Sequence, residues 1–202
     1  MQNTKRNYTF VIPILLLVLF VGPFLVAASL YSARNPLVEE TINHGKLLQP
    51  PLDFSQVKLL GSNDKAINTN EISGQWLMLY VAPTQCMDIC RNNLYKMRQI
   101  WVSLGKDMDR VQRIIVTPTT QSSPQLHRLL AKEYVGTQHL LITPTELTQF
   151  FGQAQVQQMQ AKQGALYFVD PHANVMMMYA ADAAPKGILT DLKRLLNLSQ
   201  IG

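Results

Sequence analysis

The stretch "GQWLMLYVAPTQCMDIC", residues 74–90, contains both cysteines of the chain. Its first half, Trp76 to Ala82, is a continuous apolar run closed by Gly74 before it and Pro83 after it, the pattern of a strand buried on both faces. The second half leads into a different period: Cys90, Leu94, Met97, Trp101 and Leu104 recur at spacings of four and three, which draws one apolar stripe along a helix of four to five turns, with Arg91, Asn92, Asn93, Lys96, Arg98 and Gln99 on its wet face. A buried strand, a turn carrying two thiols and an amphipathic helix follow one another without a gap.

Working outward, "DRVQRIIVTP" (109–118) predicts a second strand and "SPQLHRLLAKEY" (123–134) a second helix with Pro124 in its first turn. "HLLIT" (139–143) predicts a third strand. In "TPTELTQFFGQ" (143–153), Glu146 lies three residues after Thr143, the spacing of a capping box, so a short helix starts there. "GALYFVD", "PHAN" and "VMMMYA" (164–180) read as strand, turn and strand, and "APKGILTDLKRLLNL" (184–198) as a terminal helix with Leu189, Leu192, Leu195 and Leu196 inward. Strand and helix twice over, then hairpin and helix, is the order of an α/β thioredoxin-like domain. A short strand or hairpin near Val57–Leu60 would precede it.

Tyr8 to Tyr31 contains no charged residue, against the roughly 20 apolar residues a membrane-spanning helix needs. Pro13 and Pro23 are tolerated in such a helix where neighbouring groups recover the freed carbonyls. A cleaved signal peptide is the competing reading, with "VAAS" as a cutting site, but signal cores run about 7 to 15 residues and this one is longer. The chain thus divides into an amino terminus (1–7), a transmembrane helix (8–31), a tether (32–56) and a thioredoxin-like domain (57–202). Lys5 and Arg6 lie on one side of the span; Arg34 on the other is answered by Glu39 and Glu40. This places the amino terminus in the cytoplasm and the domain outside it, in an oxidising compartment where cysteines can cycle through a disulfide. The net charge of +5 becomes +3 without Lys5 and Arg6, and no basic block or aromatic–basic interleaving supports nucleic-acid binding.

With Cys86 at the helix start and Cys90 one turn in, the rise of roughly 6 Å is compatible with a disulfide. A helix amino terminus favours anions, so Cys86 is expected to be the nucleophilic thiolate and Cys90, on the apolar stripe, the resolving partner. A permanent staple across one turn is the plainer alternative, although so short a loop adds little stability. Two thiolates also suit Cu(I), with a third ligand still to be found.

"GQWLMLYVAPTQCMDIC" followed by "YKMRQI" resembles the Sco/SenC proteins, anchored thioredoxin-like domains that deliver copper to, or reduce thiols in, the Cu(A) centre of cytochrome c oxidase. Cys86, Asp88 and Cys90 match the family motif C-P-D-V-C-P; Met87 and Arg91 stand in place of its two prolines. The resemblance implies a copper-ligating histidine about nine residues before the proline of a hairpin turn resembling "VDP", and counting back from Pro171 the chain has Lys162 there. "NHGKLLQPP" (43–51) and "LGKDMDRVQRIIVTP" (104–118) are similar to a divergent branch beside Sco: small single-pass membrane proteins encoded among bacterial cytochrome c oxidase assembly genes. That resemblance implies a part in oxidase biogenesis, with oxidase subunits or other assembly factors as partners.

His44, His127, His139 and His172 are scattered, and each reads first as structural or solvent-exposed. His172, in the hairpin turn, is the first candidate for a displaced third ligand, and His44, in the tether, the next; Met87 is the thioether candidate, or a shield for the sulfurs. Met176, Met177 and Met178 alternate along a strand and so cannot converge on one ion. Asp88 reads as a helix cap. The chain is expected to act by dithiol exchange at Cys86 and Cys90 in oxidase assembly. The alternatives are a Cu(I) carrier, a non-catalytic scaffold and, last, a peroxidase of the same fold, for which "APTQC" is a poor match.

Overall fold

The computed structural model describes residues 11–32, 42–61, 65–67, 69, 72, 74–119 and 123–199. They form two units: an apolar helix, and a compact body that begins at Asn43. The helix, α1 (Val11–Ser32), is apolar on every side, and its window Ile12–Ser29 has a mean hydropathy of 2.5, long and apolar enough to cross a membrane.

The body is a mixed sheet of eight strands among the described residues, in the order β1-β8-β7-β4-β5-β6-β2-β3. At its centre β4 (Trp76–Val81) is buried at every position, which is why its sequence does not alternate. It runs parallel to β5 (Val111–Pro118) and antiparallel to β7 (Ala165–Val169). Beyond β5 lie β6 (Thr137–Ile142), β2 (Leu59–Gly61) and β3 (Ala66–Ile67); beyond β7 lies β8 (Asn174–Ala180).

Each face of the sheet has its own core. On one, α2 (Asp88–Val102) brings Cys90, Leu94, Met97 and Ile100, α3 (Pro124–Glu133) brings Leu126 and Leu130, and α6 (Pro185–Leu198) brings Ile188, Leu192 and Leu196. The other face is covered by α4 (Pro144–Phe151) and α5 (Gln153–Ala161), through Leu147, Val156 and Met159. The thioredoxin-like arrangement of strands and helices is therefore present.

Four differences from the sequence reading have physical causes. The segment read as a tether to residue 56 contains an edge strand, β1 (Lys46–Asp53), paired with β8 and interrupted between Leu47 and Leu52, where Pro50 and Pro51 have no N–H to give the ladder. The helix α5 has no counterpart in the linear pattern; its Gln-rich sequence has little amphipathic signal, and Gly152 with φ 80° separates it from α4. The capping box is half made: the Thr143 hydroxyl accepts from the Glu146 N–H, whereas the Glu146 carboxylate accepts from the Lys58 N–H. In β8 a register shift near Met176 places it against the same core as Met177, while Met178 faces the other, so strict alternation fails at one residue.

Candidate functional site: the Cys86–Cys90 turn

The strand β4 ends at Val81, and the turn Ala82–Met87 carries the chain to α2. The helix starts at Asp88 with Met87 as its N-cap, so Cys86 lies outside the helix rather than on its first turn. Cys86 and Cys90 are joined by a disulfide with their Cα atoms 5.0 Å apart, nearer than two positions stacked along a helix axis. The Cys90 side chain is fully buried in the core, and Cys86 is only half-buried against it. Asp88 is not the cap. Its carboxylate occupies the first turn, where it favours the helix dipole.

A polar bridge supports this turn from below. The Tyr80 hydroxyl donates to the Gln163 carbonyl at 3.0 Å and accepts from the Asn93 amide, and burial pushes its pKa up to about 12. Gly164 is required here: it has φ 118°, and a Cβ would lie 2.7 Å from both the Tyr80 ring and the Val81 carbonyl. Nothing in the linear pattern marks Tyr80, Asn93 and Gly164 as a unit. Since Ala165 pairs with Val81, Gly164 lies beside the start of the turn that leads to Cys86. A cleft of about 240 Å³ opens beside it, bounded by Ala82, Pro83, Thr84, Pro118, Gln160 and Gly164.

The remaining candidates are dispersed. Lys162 caps α5 and lies 3.5 Å from Asp182 in an exposed ion pair. His172 is at the wrong end: Val169 pairs with Leu77, and the Gly74 N–H donates to the Pro171 carbonyl, so this hairpin tip meets the start of β4 whereas the cysteines follow its end. The candidate third ligand His172 is therefore carried away from the cysteines. His44 is at the correct end, but β8 and β7 stand between β1 and β4, a separation of roughly 14 Å. It is also engaged. The buried Asp191 carboxylate accepts the His44 and Gly45 backbone N–H groups at 2.8 and 3.0 Å and the Tyr179 hydroxyl at 2.8 Å, and it holds the His44 ring Nδ1 at 3.2 Å. Met87, the N-cap of α2, is 67% exposed. His127 is exposed on α3, and His139 is buried, with its Nε2 3.0 Å from the Thr117 hydroxyl and its pKa driven down to about 4 by burial and by the nearby His127 charge. Among the described residues no three His, Cys, Asp or Glu side chains converge as a metal site.

A central strand, a disulfide-forming pair at the mouth of the next helix and an apolar helix ahead of the domain define a thioredoxin-like protein with a candidate membrane span. The chain belongs to the family described as transmembrane-like, thioredoxin-like, C-terminal domain, whose model matches residues 76–199. It is 28% identical over 111 residues to a Stutzerimonas stutzeri protein whose given name marks it as a candidate copper binder, covering 54% of this chain and 53% of that one. The chain thus spans about half the length of that relative. Among solved structures, apo Sco1 of Thermus thermophilus matches with a TM-score of 0.58 at 19% identity, covering 78% of this chain and 99% of that one. BsSco, described as a Sco-family cytochrome c oxidase assembly protein with a disulfide switch, matches with a TM-score of 0.56 at 16% identity, covering 74% and 96%.

Proposed function

We propose that this chain is a membrane-anchored factor for cytochrome c oxidase assembly that works by thiol–disulfide exchange, with Cys86 attacking and Cys90 resolving. The observation that carries the reading is the unequal setting of the two sulfurs: Cys86 is half-buried ahead of the helix and Cys90 is sealed beneath it. In the reduced protein the Cys86 thiolate attacks one sulfur of a partner disulfide, forming a mixed disulfide and releasing the partner's other sulfur as thiolate. Cys90, deprotonated, then attacks the Cys86 sulfur, which closes the 86–90 disulfide and frees the second partner thiol. Two electrons and two protons pass to the partner. Lys5 and Arg6 ahead of the apolar helix support a cytoplasmic amino terminus and a periplasmic domain.

The copper-binding description of the Stutzerimonas relative favours a second reading, Cu(I) as cargo on the reduced pair. Lys162, an ammonium in an ion pair, stands where the family resemblance calls for a histidine and cannot supply the third ligand. Met87, exposed beside Cys86, is the remaining soft donor near the pair.

Two measurements decide between them. Partial alkylation of the reduced domain is expected to label Cys86 well before Cys90, and Cys90→Ser is expected to accumulate a mixed disulfide through Cys86; equal labelling of both cysteines overturns the role assignment. Competition for Cu(I) against a chromophoric chelator is expected to give the same result for the reduced protein and for its Cys86→Ser/Cys90→Ser variant. Tight one-to-one binding lost in that variant transfers the function to copper carriage, and Met87→Leu then tests the third ligand. Normal oxidase levels in a strain lacking the gene would overturn the assembly role.

A further inference from the structure

The charge of the compact body is segregated by layer. Residues 43–202 have fifteen Lys or Arg and eleven Asp or Glu, a net +4. The three helices on the Cys90 face, α2, α3 and α6, hold eight of those cations and three of the acids, a net +5, so the remainder of the body is net −1. The helices on the opposite face contain a single charged residue, Glu146. Of the eight cations only Lys96 turns inward, to donate to the Ala181 and Ala183 carbonyls, and of the three acids only Asp191 is buried.

The exposed members form helical stripes. On α2, Arg91, Tyr95, Arg98 and Val102 follow at spacings of four, three and four and all face solvent. On α3, Arg128 and Lys132 lead to Val135, which is 74% exposed just beyond the helix end. On α6, Lys186, Lys193 and Arg194 share the outer side with Leu198, 78% exposed. The stripes adjoin: Arg91 and Arg98 are near enough to Tyr134, at the end of α3, for their charges to act on its phenol, and α2 packs directly on α6. The turn after α2 adds charges of both signs, Lys106 and Arg110 against Asp107 and Asp109, and Asp182 before α6 is paired with Lys162.

We propose that this basic, apolar-studded helix layer docks on anionic phospholipid headgroups. The proposal rests on the membrane-anchor reading above. Cations interleaved with exposed Tyr, Val and Leu are the composition of surfaces that lie in a headgroup layer. The point where the chain enters the body also selects this layer: His44 and Gly45 are fastened to Asp191 of α6. Only residues 33–42 separate that point from the apolar helix, and ten residues reach at most about 35 Å. Docking would hold the Cys86–Cys90 turn, which leads into α2, next to membrane-embedded partners.

The test uses the full chain in nanodiscs of phosphatidylcholine alone or mixed with phosphatidylglycerol, each with a trace of dansyl-labelled lipid. Energy transfer from Trp76 and Trp101, the two tryptophans of the protein, reports the nearness of the body to the bilayer. The docked-to-undocked ratio is expected to rise by more than about tenfold with phosphatidylglycerol, to fall back at high salt, and to be lost in Arg128→Glu/Lys132→Glu/Lys186→Glu/Lys193→Glu. Lys58→Glu/Lys65→Glu, on the β2–β3 edge, is expected to keep it. Equal transfer in neutral and anionic discs with the chain inserted in both overturns the docking and leaves the anchor; a chain that neutral discs fail to retain overturns the anchor and the docking with it. Transfer indifferent to lipid charge but displaced spectra on adding polyglutamate would assign the face to an acidic protein instead, and overturn the lipid proposal.

Discussion

The Cys86–Cys90 turn and the Asp191 knot lie under helices on the same face of one sheet, yet they are built from opposite kinds of information. The cysteines are four positions apart and belong to one continuous strand–turn–helix run. The knot joins positions 147 apart in the chain: a buried carboxylate on α6 collects two backbone N–H groups at the head of β1, the His44 ring and the Tyr179 hydroxyl of β8. The turn closes a very short loop, which adds little stability. The knot is arranged for stability, because the Gly45 N–H and the Tyr179 hydroxyl would be stranded in a dry interior without the carboxylate. Burial alone would raise the Asp191 pKa; the Tyr179 hydroxyl, the Gly45 amide and His44 together hold it below the ordinary value.

The sharpest way to break the comparison is Asp191→Ala, which orphans these donors and is expected to destabilise the body by about 3–5 kcal/mol in urea unfolding. A loss as small as that from reducing the disulfide would mean that the knot is solvated. A pH series then separates two buried groups by the window in which each loses its contribution. His139, with its pKa lowered from 6.5 to about 4, is neutral when folded and protonates more readily when unfolded, so stability is present above about pH 6.5 and is lost as pH falls towards 4, by up to about 3 kcal/mol. His139→Gln should flatten that window, whereas the Asp191 contribution, also a lowered pKa, persists through it and is lost only at lower pH. Gly45→Ala follows: a Cβ there would lie 2.5 Å from the Tyr179 ring, and thermal unfolding should register a loss of about 1–3 kcal/mol. The smallest effect belongs to the turn. Reducing Cys86–Cys90 opens a very short loop and should cost at most about 2 kcal/mol, so a reduced protein that unfolds outright would show the disulfide to be a staple rather than a working pair.

Much of the domain is legible in the sequence, for local reasons. The continuous apolar run of β4, the four–three stripe of α2, Ser123 and Thr143 before Pro-initiated helices and the hairpin turn at Pro171 each state their element within a dozen residues. Where the linear pattern misleads, the decisive contact is distant. "KLLQPPLD" looks like a tether because its prolines interrupt a ladder on only one side, and it becomes a strand because β8 presents a free edge. His172 looks near the cysteines because turn chemistry says nothing about which end of the sheet a hairpin reaches; the antiparallel register of β7 on β4 decides that. The basic layer has the same origin. No cluster of cations occurs in the linear chain, and only the packing of α2, α3 and α6 on one face brings them together.

By itself the sequence determined the two sulfurs and their spacing, the strand that presents them, the helix behind them and the apolar segment ahead of the domain, since periodicity and covalent proximity act over a few residues. Only the tertiary structure decided that Cys86 lies ahead of the helix and not on its first turn, that His172 is carried to the opposite end of β4 from the cysteines, and that Asp191 is buried with four donor groups around it. Burial and partner choice are properties of surfaces brought together by the sheet, and no short window of residues contains both sides of such a contact.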